Sequence, residues 1–160
     1  MSDTITKILV PVDFSPHSER AFRYATTLAQ RLGATIGLLH VVEDPFVTGA
    51  WSAEVFVPNV PELLNSLIGG AERQLAILKE SAAALDVTAE TVVITGRPAH
   101  TIVDHAREGG FDLIVMGTHG RTGLFHVVMG SVAERVVQKA HCPVLTMRAV
   151  EPAATKTAAA

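Results

Sequence analysis

Five short apolar runs alternate along the chain with longer stretches whose apolar residues recur every three or four positions. The first run, Ile8-Leu9-Val10-Pro11-Val12, is branched and apolar throughout, the pattern of a strand buried on both faces of a parallel sheet. Ser15-Pro16 then predicts a helix start, with Ser15 offering a capping hydroxyl and Pro16 suited to the first helical position. Ala21, Ala25, Leu28, Ala29 and Leu32 mark the apolar stripe of that helix, and Gly33 stops it. Further strands are predicted at 35–42, 89–95, 112–116 and 143–147. Between them, helical spacing recurs three times. Ala71, Leu75, Leu78, Ala82 and Leu85 form one stripe after Pro61, with Gly69-Gly70 expected to break or kink its start. Gly96-Arg97-Pro98 turns the chain into a helix carrying Ala99, Ile102, Val103 and Ala106, closed by Gly109-Gly110. Val132, Ala133, Val136, Val137 and Ala140 make the last.

Strands alternating with helices imply an α/β fold: an open five-stranded parallel sheet, covered by helices on both faces, with right-handed crossovers. The long connection from 43 to 61 carries three prolines and the sole tryptophan, Trp51, and is expected to be the most mobile part of the chain. At 160 residues the economical reading is a single domain over 1–150, followed by an Ala-rich end, 151–160, with no apolar periodicity to dock it. No internal repeat is evident. Hydrophobic residues at 48% against 18% charged favour a large aliphatic core over disorder. The net charge is −3 with basic residues scattered among acidic ones, which argues against nucleic-acid binding. The apolar runs fall far short of the roughly 20 residues a spanning helix needs, so no membrane insertion is expected. A single cysteine, Cys142, suits a reducing compartment and reads as a small core hydrophobe. With no signal peptide evident at the N-terminus, the expected location is cytoplasmic.

The candidate chemistry lies after the fourth strand. There Gly117-Thr118-His119-Gly120-Arg121 is followed, with nine residues between Gly120 and Gly130, by Gly130-Ser131 at a helix start. Glycines allow close backbone approach, and the first amides and dipole of a helix favour an anion, so the segment reads as a phosphate-binding loop. A plain strand-to-helix connection would also use turn glycines. The P-loop pattern with its lysine is absent, and the first strand-to-helix turn, Asp13 to Ser18, contains no glycine, which argues against an efficient NTPase and against a dinucleotide-binding enzyme. No Gly-x-Ser-x-Gly elbow is present either. The histidines show no zinc-ligand spacing. Asp13, at the end of the first strand, has two open roles: a ligand for ribose, adenine or a metal, or a partner of Ser15 in capping the next helix.

The spacing Gly-x2-Gly-x9-Gly-Ser resembles the nucleotide loop of the universal stress protein family, in its ATP-binding branch. The resemblance extends to Val10-Pro11-Val12-Asp13-Phe14-Ser15, His40-Val41-Val42, Ile114-Val115-Met116-Gly117 and Cys142-Pro143-Val144-Leu145, about residues 4 to 148. It implies a Rossmann-like sheet of order 3-2-1-4-5, of the adenine nucleotide alpha hydrolase type. Asp13 and Gly117 would then face one crevice. It also implies nucleotide contacts at Pro11, Val12, Asp13, Val41, Met116, Gly117, His119, Gly120, Arg121, Gly130, Ser131 and Val132. Val41 would meet adenine through its backbone, Met116 would form an apolar wall, and Arg121 would lie beside the phosphates, unless it is a solvated loop arginine. His119 is read as a loop residue, not a base. The implied cofactor is ATP, with Mg2+ and any metal ligands left open. Implied partners are a second copy, paired along the edge strand Pro143-Val144-Leu145-Thr146-Met147-Arg148, and a client protein that the sequence does not name. The leading expectation is an ATP-binding regulatory, stress-response module. The alternatives are a slow metal-dependent ATPase and a nucleotide-independent dimeric interaction module.

Overall fold

A computed structural model of the chain describes residues 4–44, 59–119 and 129–148. Trp51 and most of the 43–61 connection, Gly120, Arg121, His126 and the 151–160 tail lie outside the described residues. Among the described residues nine elements follow one another: β1 (Lys7–Pro11), α1 (Pro16–Leu32), β2 (Thr35–Glu43), α2 (Val60–Ala83), β3 (Ala89–Gly96), α3 (Pro98–Glu108), β4 (Leu113–Gly117), α4 (Ser131–Lys139) and β5 (Val144–Met147). The five strands are all parallel, in the order β3-β2-β1-β4-β5, as expected. Among the described residues, no helix is long and apolar enough to cross a membrane.

Alternation along the central strands sorts the core into two layers. Ile8 and Val10 of β1 and Leu113 and Val115 of β4 point to the face covered by α1 and α2, where they meet Ala21, Phe22, Ala25 and Leu75. Leu9, Ile114 and Met116 point to the other face, against Ile102, Val103 and Ala106 of α3 and Val136 of α4. Fully burying a Leu- or Ile-sized side chain contributes about 1.5–3 kcal/mol, and Ile8, Leu9, Ile36, Leu38, Leu39 and Ile114 are all essentially inaccessible. These residues bury β1, β2 and β4 in the core.

The helix stripes differ from expectation at their ends. Leu32, Leu85 and Val137 are exposed, whereas Phe22 and Val87 are core. Leu85 follows the end of α2, and Asp86 turns the chain through the left-handed region (φ 58°), so that the Val87 amide bonds the Ala82 carbonyl at 3.1 Å and Val87 takes the core position. Gly69-Gly70 does not break α2, which runs unbroken from Val60 to Ala83. Burial of Ala71, Leu75 and Ala82 holds it against the sheet, consistent with helices in proteins being stabilised mainly by packing.

The entry ends of β1 and β4 are tied by Asp112. Its Oδ2 accepts from the Thr6 amide (2.8 Å), the Thr6 hydroxyl (2.9 Å) and the Lys7 amide (2.9 Å). Those hydrogen bonds, led by the Thr6 amide, hold the Asp112 carboxyl below its ordinary value. Lys7 Nζ donates to the Gly109 carbonyl at 2.9 Å and lies 4.6 Å over the Phe111 ring. The adjacent pair β1 and β4 is thus clamped at the end opposite the crevice.

Candidate functional site

In an open parallel sheet, ligands sit beyond the carboxyl ends of the strands where strand order reverses. Here the reversal falls between β1 and β4, and a crevice of about 730 Å³ opens there, within the range of small-molecule sites. Pro11 at the end of β1 lines it with Val12 and Asp13 just beyond, and Val41 from the end of β2. Met116, Gly117 and His119 line it from β4 and beyond, and Gly130, Ser131 and Val132 from the start of α4. Ten of the twelve sequence-predicted site residues therefore converge on one crevice; Gly120 and Arg121 lie outside the described residues.

Of the two roles that the sequence left open for Asp13, the structure shows the capping one, in a residue that also lines the crevice. Ser15 caps α1, its Oγ accepting from the Ser18 amide at 3.3 Å. Asp13 supports that cap, since its Oδ1 accepts from the Ser15 amide at 3.0 Å. The Asp13 amide in turn donates to Ser18 Oγ at 3.3 Å. Between Asp13 and Ser15 the chain passes through Phe14 at φ 62°, a left-handed conformation that costs a non-glycine residue about 1–3 kcal/mol. The carboxylate is thereby built into the turn while still lining the crevice.

The two described glycines of the loop are needed for different reasons. A Cβ on Gly117 would come within 2.8 Å of His17 Cβ and 2.9 Å of the His17 carbonyl carbon, so this glycine admits the first turn of α1. A Cβ on Gly130 would lie 3.0 Å from the Thr118 carbonyl oxygen. That same oxygen accepts the Gly130 amide at 2.7 Å, which corrects the expectation that Gly130 presents its own N–H to an anion. Gly130 instead caps α4 without a side chain, and the outward amides of the first turn belong to Ser131, Val132 and Ala133. All three residues line the crevice, so the positive end of the α4 dipole faces it.

Thr118, unremarked in the sequence, joins these parts. Its amide donates to the Met147 carbonyl of β5 at 2.9 Å and its hydroxyl to the same oxygen at 3.3 Å. With the hydroxyl proton directed there, the His119 Nδ1–H donates to Thr118 Oγ1, at 3.0 Å. The His119 ring lies 5.4 Å from that of His17. Burial, then His119, hold the His17 imidazole below its ordinary value, against the opposing pull of Asp13. Among the described residues no group of three or more His, Cys, Asp or Glu forms a metal-binding cluster. Sequence reasoning also missed His40, Ser66 and Gln74 as lining residues. The last two come from α2 and His40 from within a buried strand, and none of them carries a local signal.

Comparison with known proteins follows the same outline. A family model described as the universal stress protein family matches residues 4–148. Universal stress protein YxiE of Bacillus subtilis is 39% identical over 145 residues, covering 89% of this chain and 98% of the relative. Among solved structures, the universal stress protein UspA from Lactobacillus plantarum superposes with a TM-score of 0.77 at 31% identity, covering 92% of this chain and all of that one. Protein MJ0577 superposes with a TM-score of 0.80 at 29% identity, covering 93% and 99%. Two more distant structures sharing the fold are a universal stress protein in complex with cAMP and one from Archaeoglobus fulgidus in complex with dAMP, at 21% and 23% identity.

Proposed function

The chain belongs to the universal stress protein family, and on that premise we propose that it is an ATP-binding regulatory module whose nucleotide occupies the β1/β4 crevice. One observation carries the reading. A carboxylate at the end of β1, an apolar wall at the ends of β2 and β4, and the amide-rich start of α4 line the same space of about 730 Å³. Adenine fits against Val41 and the buried Met116, the ribose hydroxyls pair with Asp13, and the phosphates meet the Ser131, Val132 and Ala133 amides. By the family resemblance, Gly120 and Arg121 would complete the phosphate side. Family members in complex with cAMP and dAMP support an adenine nucleotide as the ligand class.

ATP would bring its own Mg2+, and its phosphate charge is what the α4 terminus and Arg121 would stabilise. The chain has no P-loop lysine to stabilise transition-state charge, so turnover, where present, is slow and binding is the function. The second copy pairs along β5, which is a sheet edge and offers unpaired backbone groups. Isothermal calorimetry with ATP, AMP and adenosine in the presence of Mg2+ tests the assignment. Saturable ATP binding is expected; no binding of any adenine nucleotide would reject it.

A further inference from the structure

We infer that His40 is a positioning residue for Asp13: one buried imidazole holds the residues on both sides of that carboxylate and so sets its aim into the crevice. His40 is 8% exposed in the interior of β2, and its Nδ1 lies 2.7 Å from the Val12 carbonyl oxygen. A carbonyl only accepts, so Nδ1 carries the proton and donates. On the other side of Asp13, the Phe14 ring stacks on the same imidazole, with centroids 4.7 Å apart and planes 29° apart. Phe14 is one of the three non-glycine residues with positive φ among those described. A bulky side chain keeps that conformation only where its surroundings impose it, and the imidazole, together with the core on the α1 and α2 face, is what the ring rests on. Val12 is also held through its amide, which donates to the Leu39 carbonyl next to His40 in β2 at 2.8 Å.

Asp13 therefore has little freedom of its own. Val12 before it is bonded to β2 through both backbone groups, and Phe14 after it is stacked. Its carboxylate is then turned by the Ser15 amide. An apolar residue of similar bulk at position 40 would fill the space and hold neither neighbour. Asparagine would place an N–H donor the same number of bonds from the backbone and keep the Val12 link, while phenylalanine would keep the stack alone.

The consequence for ligand affinity rests on the nucleotide reading above; the consequence for Asp13 does not. Both are measured on the full-length protein with His40→Leu, His40→Asn and His40→Phe. In the ligand-free protein, the Ser15 amide reports the bond to Asp13 through its NMR shift and its hydrogen-exchange protection. We expect His40→Leu to lose that protection and to weaken ATP on the order of tenfold, and His40→Asn to restore both in large part. In an Asp13→Ala background the His40→Leu change should add little, because the two act through one group. If His40→Leu does not fold, His40→Phe, which loses the Val12 link, against His40→Asn, which keeps it, tests that link: the Ser15 amide should lose protection in the first and keep it in the second, and equal protection in both overturns the inference. An unchanged Ser15 amide with unchanged ATP affinity overturns the inference. So does a loss of protection spread evenly over β1 and β2 that asparagine does not rescue, which would make His40 a packing residue. If wild type binds no nucleotide while the Ser15 amide responds as expected, the positioning of Asp13 stands and the nucleotide reading falls.

Discussion

At the scale of single residues, Gly117 and Gly130 separate folding from binding. Alanine at 117 would drive a methyl group to 2.8 Å from His17 Cβ, and α1 cannot yield without disturbing its cap. Gly117→Ala should cost about 1–3 kcal/mol of stability as an overpacked contact, read as a lower urea midpoint. Gly130 has φ −72°, which any residue adopts, so Gly130→Val carries no left-handed strain. Its side chain would press on Thr118 O and into the crevice, shifting the amides at the α4 start. ATP binding should fall at least tenfold, a loss of about 1.4 kcal/mol or more. The unfolding midpoint should change little, as for most positions outside the core. A folded Gly130→Val protein that still binds ATP would show that the loop is only a connection. Arg121→Ala should weaken ATP by about 1 kcal/mol and leave adenosine nearly unaffected, since a loop cation acts on phosphate charge; equal losses in calorimetry would move Arg121 away from the phosphates.

Between elements, the Asp112 clamp makes the pairing of β1 with β4 pH-dependent. The folded-state carboxyl is held below the ordinary value of 3.8 by the Thr6 and Lys7 donors. The unfolded chain therefore takes up the proton first as pH falls. The stability from this group is fully present above the unfolded value and is lost as pH drops through the folded one. Asp112→Asn should accordingly unfold more easily than wild type at pH 6 and approach it near pH 3, in denaturant titrations at each pH. A difference between the two proteins that stayed constant with pH would exclude the clamp as its source. The clamp and the crevice sit at opposite ends of the same strand pair, so ATP affinity at neutral pH should survive the change.

Across the whole molecule, β5 is the edge through which a second copy would pair. The Pro143 and Met147 carbonyls bond the amides of Ile114 in β4 and of Thr118 just after it. Alternation then turns the backbone groups of Val144 and Thr146 toward the open edge. Thr146→Pro should remove an outward donor while sparing the β4 ladder, giving a monomer in sedimentation that still binds ATP. A wild-type monomer at micromolar concentration would refute pairing along β5 altogether. Local periodicity and capping chemistry carried the order and type of the elements, the parallel sheet and the Ser15 cap. The strand order, and with it the convergence of Asp13, Val41, Met116 and Gly117 on one crevice, came from the family resemblance together with the rule that strand ends at a reversal of order share a cleft. That Leu32, Leu85 and Val137 face solvent while Phe22 and Val87 are core is visible only in the packed molecule. It alone showed that the Gly130 amide is spent on Thr118 and that His40 grips both neighbours of Asp13. Each of these depends on a contact between residues distant in the chain or on a turn that ends a periodic stripe, and spacing along one segment carries no information about what lies across from it.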